Sequence, residues 1–177
     1  VDAPVTVSAG PDGTTFAFDG PTPVSVGARS HHRGPGGTIT TTAALDDLRV
    51  AVSSLSSSLK TTSPERSFPT LRGHPPLIEL GSDLSVPAGC IPPDSGITVE
   101  VGRSYRDLLV ASPLAFYLGA DVAWGERRIV IDDRYVHPLD DGVGFEAGVE
   151  RALRLSFFLD CLTRTEGLYP VRLFERQ

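Results

Sequence analysis

The sequence contains no methionine and only one lysine, Lys60. Methionine at its ordinary usage of roughly 2% would appear several times in a chain of this length. Its absence, with a start at Val1-Asp2-Ala3, points to a segment of a longer protein or to selenomethionines omitted from the sequence. The two cysteines, Cys90 and Cys161, lie far apart and form no C-x-x-C pair, which excludes a disulfide framework and predicts a reduced, cytoplasmic protein. The longest uncharged stretch, Leu108 to Ala120, falls short of the roughly 20 apolar residues that cross a bilayer, so no membrane partner is expected. No basic stripe is present, which argues against nucleic acid. Aromatic residues are 7% of the chain, so the core is expected to be mostly Val, Leu, Ile and Ala. G-x-S-x-G, H-E-x-x-H and P-loop patterns are all missing.

What is present is acid. Twenty-two Asp and Glu face 16 basic residues, nearly all of them arginine, for a net charge of −6 and a pI near 5.1. Lysine would carry the same charge, so the skew reflects a proteome and not a site. It fits a high-GC genome, and with the acidic excess a halophilic archaeon or a high-GC bacterium; in molar salt the Debye length shrinks to about 3 Å and repulsion between surface carboxylates is screened.

Val5 and Val7, then Phe16 and Phe18, alternate on either side of Gly10-Pro11-Asp12-Gly13 and predict a hairpin. A helix is expected from Thr41 or Thr42 to Lys60, because Leu45, Leu48, Val52, Leu55 and Leu59 share one stripe; Ser53, Ser54, Ser56, Ser57 and Ser58 then form its outer face. The prolines from Thr61 to Pro76 read as a linker, dividing a strand-rich segment plus helix (1–60) from an α+β body (77–177). Strands are expected at Leu77–Leu80 and Ile97–Val101. Ser104 and Asp107 suggest a variant capping box, and Pro113 suggests two short helices, Tyr105–Val110 and Pro113–Leu118, the second ended by Gly119. Val122–Trp124, Arg128–Ile131 and Tyr135–His137 read as a meander. A long helix is expected from Phe145 to Glu166, with Val149, Leu153, Phe157 and Cys161 in one stripe and Ala152, Leu155, Leu159 and Leu162 in its neighbour; Glu150–Arg154 and Asp160–Arg164 are i,i+4 pairs. Gly167 and Pro170 should stop it before a closing strand at Val171–Phe174.

Three constellations could carry chemistry. Gly142-x-Gly144-x-x-Ala147 has the letters of a dinucleotide fingerprint, but Asp140 and Asp141 at its mouth would repel a pyrophosphate. The histidines, His31, His32, His74 and His137, lack metal-ligand spacing, so neither metal nor cofactor is expected. Asp160-Cys161-x-x-Arg164 lies in a stretch apolar almost all round; it is expected to be deeply buried, with Asp160 and Arg164 as a structural ion pair and Cys161 an enclosed thiol. The only candidate catalytic pair is Cys90 with His74, both from loops.

The stretches Thr70–Pro76, Ser112–Ala120 and Phe157–Tyr169 resemble segments of long haloarchaeal proteins, some with a caspase-like CHAT-type peptidase region elsewhere in the chain. The likeness spans mainly residues 64–177. The peptidase region's His and Cys motifs have no counterpart here, so no catalytic residue carries over. The resemblance implies a halophilic origin and a piece of a larger protein.

The expected fold is α+β, with short antiparallel strands packed by the long C-terminal helix. The expected function is a non-catalytic recognition or regulatory module whose partner is another domain of the same polypeptide or another protein. The alternative is a hydrolase using Cys90 and His74.

Overall fold

The computed structural model describes residues 4–11, 13–24 and 34–165 and divides the chain into two units, Val1–His31 and His32–Gln177. The first holds the expected hairpin: β1 (Val5–Gly10) pairs antiparallel with β2 (Gly13–Phe18), setting Val5 opposite Phe18 and Val7 opposite Phe16. The division falls at His31 and not in the Pro-rich stretch, because residues 61–76 are built into the second unit. Arg66 and Ser67 are buried there, and the Lys60 amide bonds the Leu71 carbonyl at 2.9 Å. Proline locked the backbone in this stretch without freeing it from the core.

The second unit is α+β. Its elements are β3 (Thr38–Thr41), α1 (Leu45–Ser53), β4 (Leu77–Leu80), β5 (Ile97–Val101), α2 (Tyr105–Leu118), β6 (Asp121–Trp124), β7 (Arg128–Ile131), β8 (Tyr135–Pro138) and α3 (Phe145–Thr163). β3 and β4 form a two-stranded parallel pair. The other four strands make one sheet in the order β6-β5-β7-β8. β7 and β8 pair antiparallel as a hairpin, but β6 and β7 are not neighbours as a meander would require: β5 lies between them, parallel to β6 and antiparallel to β7. The connection Gly125–Arg127 crosses the end of β5, where the Gly125 amide bonds the Val101 carbonyl at 2.9 Å. The strands are therefore not all antiparallel; α2 supplies the crossover a parallel neighbour needs.

Val99, Val101, Val122 and Ile129 line the buried sheet face and meet Leu108, Ala111, Leu114 and Ala115 of α2. Pro113 does not split this helix. It removes the amide that would bond the Leu109 carbonyl, and the Ser112 hydroxyl donates to that carbonyl instead, at 2.8 Å. Ser104 caps α2 by accepting from the Asp107 amide at 3.1 Å; the Asp107 carboxylate, however, goes to Arg127 and not back to the cap. Gly119, at φ 69°, ends α2 in a Schellman turn, with the Gly119 amide on Phe116 and the Ala120 amide on Ala115.

α1 ends earlier than its leucine stripe implies, tightening into a 3-10 turn over Ser54–Ser58. The serines are its inner face and not its outer one. Ser53, Ser54, Ser56 and Ser58 are buried, and the last three turn their hydroxyls onto backbone carbonyls of the preceding turn. Ser53 instead accepts from the Val122 amide at 2.9 Å, while Arg49 donates to the Val122 carbonyl at 2.7 Å and Asp46 accepts from Trp124 Nε1 at 2.6 Å. α1 thus lies along β6 and satisfies edge groups that would otherwise invite another strand.

α3 packs beside α2 through Phe145, Val149 and Ala152. Gly148 sits in its interior, where glycine costs about 1 kcal/mol relative to alanine. The reason is a close approach: a Cβ at this position would collide with the Leu139 carbonyl. The closing strand and the Gly167 stop lie outside the described residues. Gly148→Ala is expected to lower stability by about 2 kcal/mol despite its better helix propensity, a fall in Tm of about 4–8 °C. Thermal melting checks this, with Ala147→Gly on the exposed side as a control costing about 1 kcal/mol.

Candidate docking surface on the C-terminal helix

A buried charge network fixes where α3 lies. Asp160 is 8% exposed, and its carboxylate accepts from Arg66 Nε at 2.7 Å and from the Tyr117 hydroxyl at 2.8 Å. Arg66 also reaches the Leu118 carbonyl at 3.3 Å and stacks over the Tyr117 ring. Three separate segments meet here: the 3-10 turn Pro64–Ser67, the end of α2, and α3. Burial, then the bond to the Asp160 carboxylate, pushes the Tyr117 hydroxyl above its ordinary pKa, so it stays a donor. Asp160 is thus buried, and it makes a salt bridge to Arg66 of the 3-10 turn Pro64–Ser67. Arg164 reaches Ser67 Oγ at 3.4 Å. Beside it, Glu65 accepts from the Ser63 hydroxyl and from the Thr165 amide and hydroxyl, which holds its carboxyl down to about 2.

This anchoring turns only one face of α3 inward. The stretch 155–162, expected to be buried all round, is buried at Asp160, half-buried at Ser156 and Cys161, and exposed at Leu155, Phe157, Phe158, Leu159 and Leu162. Leu155, Phe158, Leu159 and Leu162 are 54%, 57%, 47% and 39% exposed, and their i, i+3, i+4, i+7 spacing makes a second apolar stripe. A concavity of about 400 Å³ lies beside it, lined by Ala147, Glu150, Arg151, Arg154, Leu155 and Phe158. On the other flank, Phe157 makes an edge-on contact with Tyr117 at 5.9 Å. There a groove of about 390 Å³ runs between α2 and α3, floored by Pro113, Phe116, Tyr117, Leu153 and Phe157, with Arg72 and Arg154 at its rim. Arg72 lies over the Phe157 ring at 5.8 Å. Glu150 and Arg154 form the expected i,i+4 pair at 2.6 Å, both well exposed.

The remaining candidates are dispersed. Cys90 is 1% exposed, packed near Ile39 and Ala51, and its Sγ lies close to Gly37. His74 is exposed, and no hydrogen bond joins it to Cys90. Cys161 is half-buried, so the more enclosed thiol is Cys90 and not Cys161. Gly142 and Gly144 both have positive φ before α3, and Asp140 and Asp141 at that mouth hold Arg127 and Arg151. Among the described residues no group of three or more His, Cys, Asp and Glu side chains is placed to hold a metal; His31 and His32 lie outside them. No described helix is long and apolar enough to cross a membrane. Compared with family models, curated proteins and solved structures, the chain matches none.

Sequence reasoning missed Arg66, Tyr117 and the groove residues of α2. The available signal was α3 itself: a helix apolar on every side needs more cover than one neighbour provides.

Removing Asp160 leaves the Arg66 guanidinium buried and uncompensated. Asp160→Ala should cost about 3–5 kcal/mol, and Tyr117→Phe about 1–2 kcal/mol. A double-mutant cycle should give a larger coupling for Asp160 with Arg66 than with Arg164. Because the folded pKa of Glu65 is depressed, its contribution is present above the unfolded value of 4.5 and is lost as pH falls from 4.5 toward about 2. Melting scans across that window should show a fall in stability that Glu65→Gln lacks.

Proposed function

We propose that this chain is a non-catalytic recognition module of a larger haloarchaeal cytoplasmic protein, docking through the outer face of α3. Its partner is protein, either another domain of the same polypeptide or a separate chain, and not nucleic acid or a membrane. The observation that carries this reading is the contiguous apolar surface of Leu155, Phe158, Leu159 and Leu162, left open on a helix that is firmly anchored by Asp160. Contiguous exposed apolar area of this kind marks interaction sites more often than it arises by chance. The acidic, lysine-poor composition supports the halophilic setting. The burial of Cys90 weighs against a hydrolase, because a nucleophilic thiol needs access to substrate.

Phe158→Asp and Leu162→Asp should leave Tm within about 2 °C, whereas truncating a core phenylalanine costs about 3–5 kcal/mol. The same variants should reduce the binding of an apolar fluorescent dye to the native protein. A large loss of stability in both would mean that this face is core and would overturn the reading. In parallel, iodoacetamide should label Cys161 before Cys90, with no hydrolytic turnover; rapid labelling of Cys90, abolished in His74→Ala, would favour the hydrolase instead.

A further inference from the structure

Resting on that reading, we infer that the groove between α2 and α3 takes an amphipathic helical segment of a partner protein, with an apolar anchor seated against Phe116 and Phe157 and carboxylates turned toward Arg72 and Arg154.

Charge complementarity selects this occupant. The chain carries 22 acidic residues, and the other arginines around α3 use them: Arg66 holds Asp160, Arg106 holds Glu146, and Arg151 holds Asp141. Arg72 differs, because no carboxylate pairs with it among the described residues. It stands on the groove rim over Phe157 with its donors available. Across the groove, Arg154 is held only by Glu150, in a pair whose side chains are 80% and 60% exposed. Such a pair exchanges partners at little cost. An apolar floor between two arginines is a local reversal on an acidic protein. It matches a segment with one apolar face and acidic flanks, the helix-in-groove mode of recognition.

A second copy of this chain fits less well. Two chains of net charge −6 repel each other. The floor lies between two helices packed side by side, a trough that suits one more helix laid along it.

The test uses two synthetic helical peptides with leucine at i, i+3, i+4 and i+7. One carries glutamate at the flanking positions, and its twin carries lysine. Binding is read by fluorescence anisotropy and by amide shifts in α2 and α3. The glutamate peptide should bind about fivefold to tenfold more tightly than the lysine twin, and this advantage should shrink as salt rises. Arg72→Glu combined with Arg154→Glu, melting like the parent chain, should invert the preference. Equal binding of the twins, an unchanged preference in the double variant, or no binding at millimolar peptide would each overturn the proposal. Sedimentation as a dimer that Phe116→Asp dissociates would overturn it in favour of a second copy. None of these outcomes touches the wider reading, whose failure appears separately as loss of stability in Phe158→Asp and Leu162→Asp.

Discussion

The placement of α3 depends on one buried carboxylate. Asp160 draws Arg66 from a 3-10 turn and the Tyr117 hydroxyl from α2 onto a single side chain. Burying a charge is costly unless it is paired and its remaining lone pairs are satisfied, and both conditions hold here only in one arrangement of the three segments. An apolar residue at this position could slide along α2 with little penalty; a carboxylate with two directional partners cannot. The network therefore sets the rotation of α3 about its own axis. That rotation puts Phe145, Val149 and Ala152 inward and leaves Leu155, Phe158 and Leu162 outward.

The fold could be read from local rules wherever a residue acts on its own backbone. The hairpin alternation of Val5, Val7, Phe16 and Phe18, the Ser104 cap, the Gly119 stop and the start of α3 all belong to this kind. Reading failed where a partner from afar decides the outcome. Pro113 is harmless in α2 because the hydroxyl of its neighbour replaces the lost donor. Ser53, at the end of α1, turns inward to accept from the edge of β6, and Ser54, Ser56 and Ser58 after it are buried with their hydroxyls returned to the preceding turn. Asp160 pairs with a residue 94 positions away, and nothing in the pattern around Arg66 announces that contact. The same blindness hid the exposed apolar face of α3. Apolar residues on every side of α3 were read as deep burial, whereas the anchor exposes half of them.

The chain guards its other vulnerable surfaces. Ser53 and Arg49 occupy both backbone groups of Val122 on the edge strand β6, and Arg128 bridges Glu100 and Glu126 on the sheet. Arg127 joins buried Asp107 to Asp140 and lies over the Phe145 ring, closing the start of α3. Charges are thus used where the sheet and the helix ends would otherwise be open. Among the described residues, the exposed positions of α3 from Leu155 to Leu162 carry no charged side chain; Arg151 and Arg154 stand on the N-terminal side. A sequence rich in carboxylates could have placed one at position 158 or 159 at no cost to the core. That the helix presents phenylalanine and leucine there, on an anchor built to hold it still, is what favours a surface meant to be covered.

Rigidity and exposure then work together. An apolar helix that could roll would bury these residues against α2 and lose its exposed face, and a flexible one would surrender entropy on any docking. The Asp160 network prevents the first, and its links to Arg66 and Tyr117 limit the second. A helical segment of the kind proposed would meet a preformed floor, Pro113 and Phe116 from α2 with Leu153 and Phe157 from α3. In the proposed arrangement the binding energy would come mainly from covering phenyl and leucyl surface. The two rim arginines would add little to affinity there and would chiefly decide which sign of charge can lie alongside.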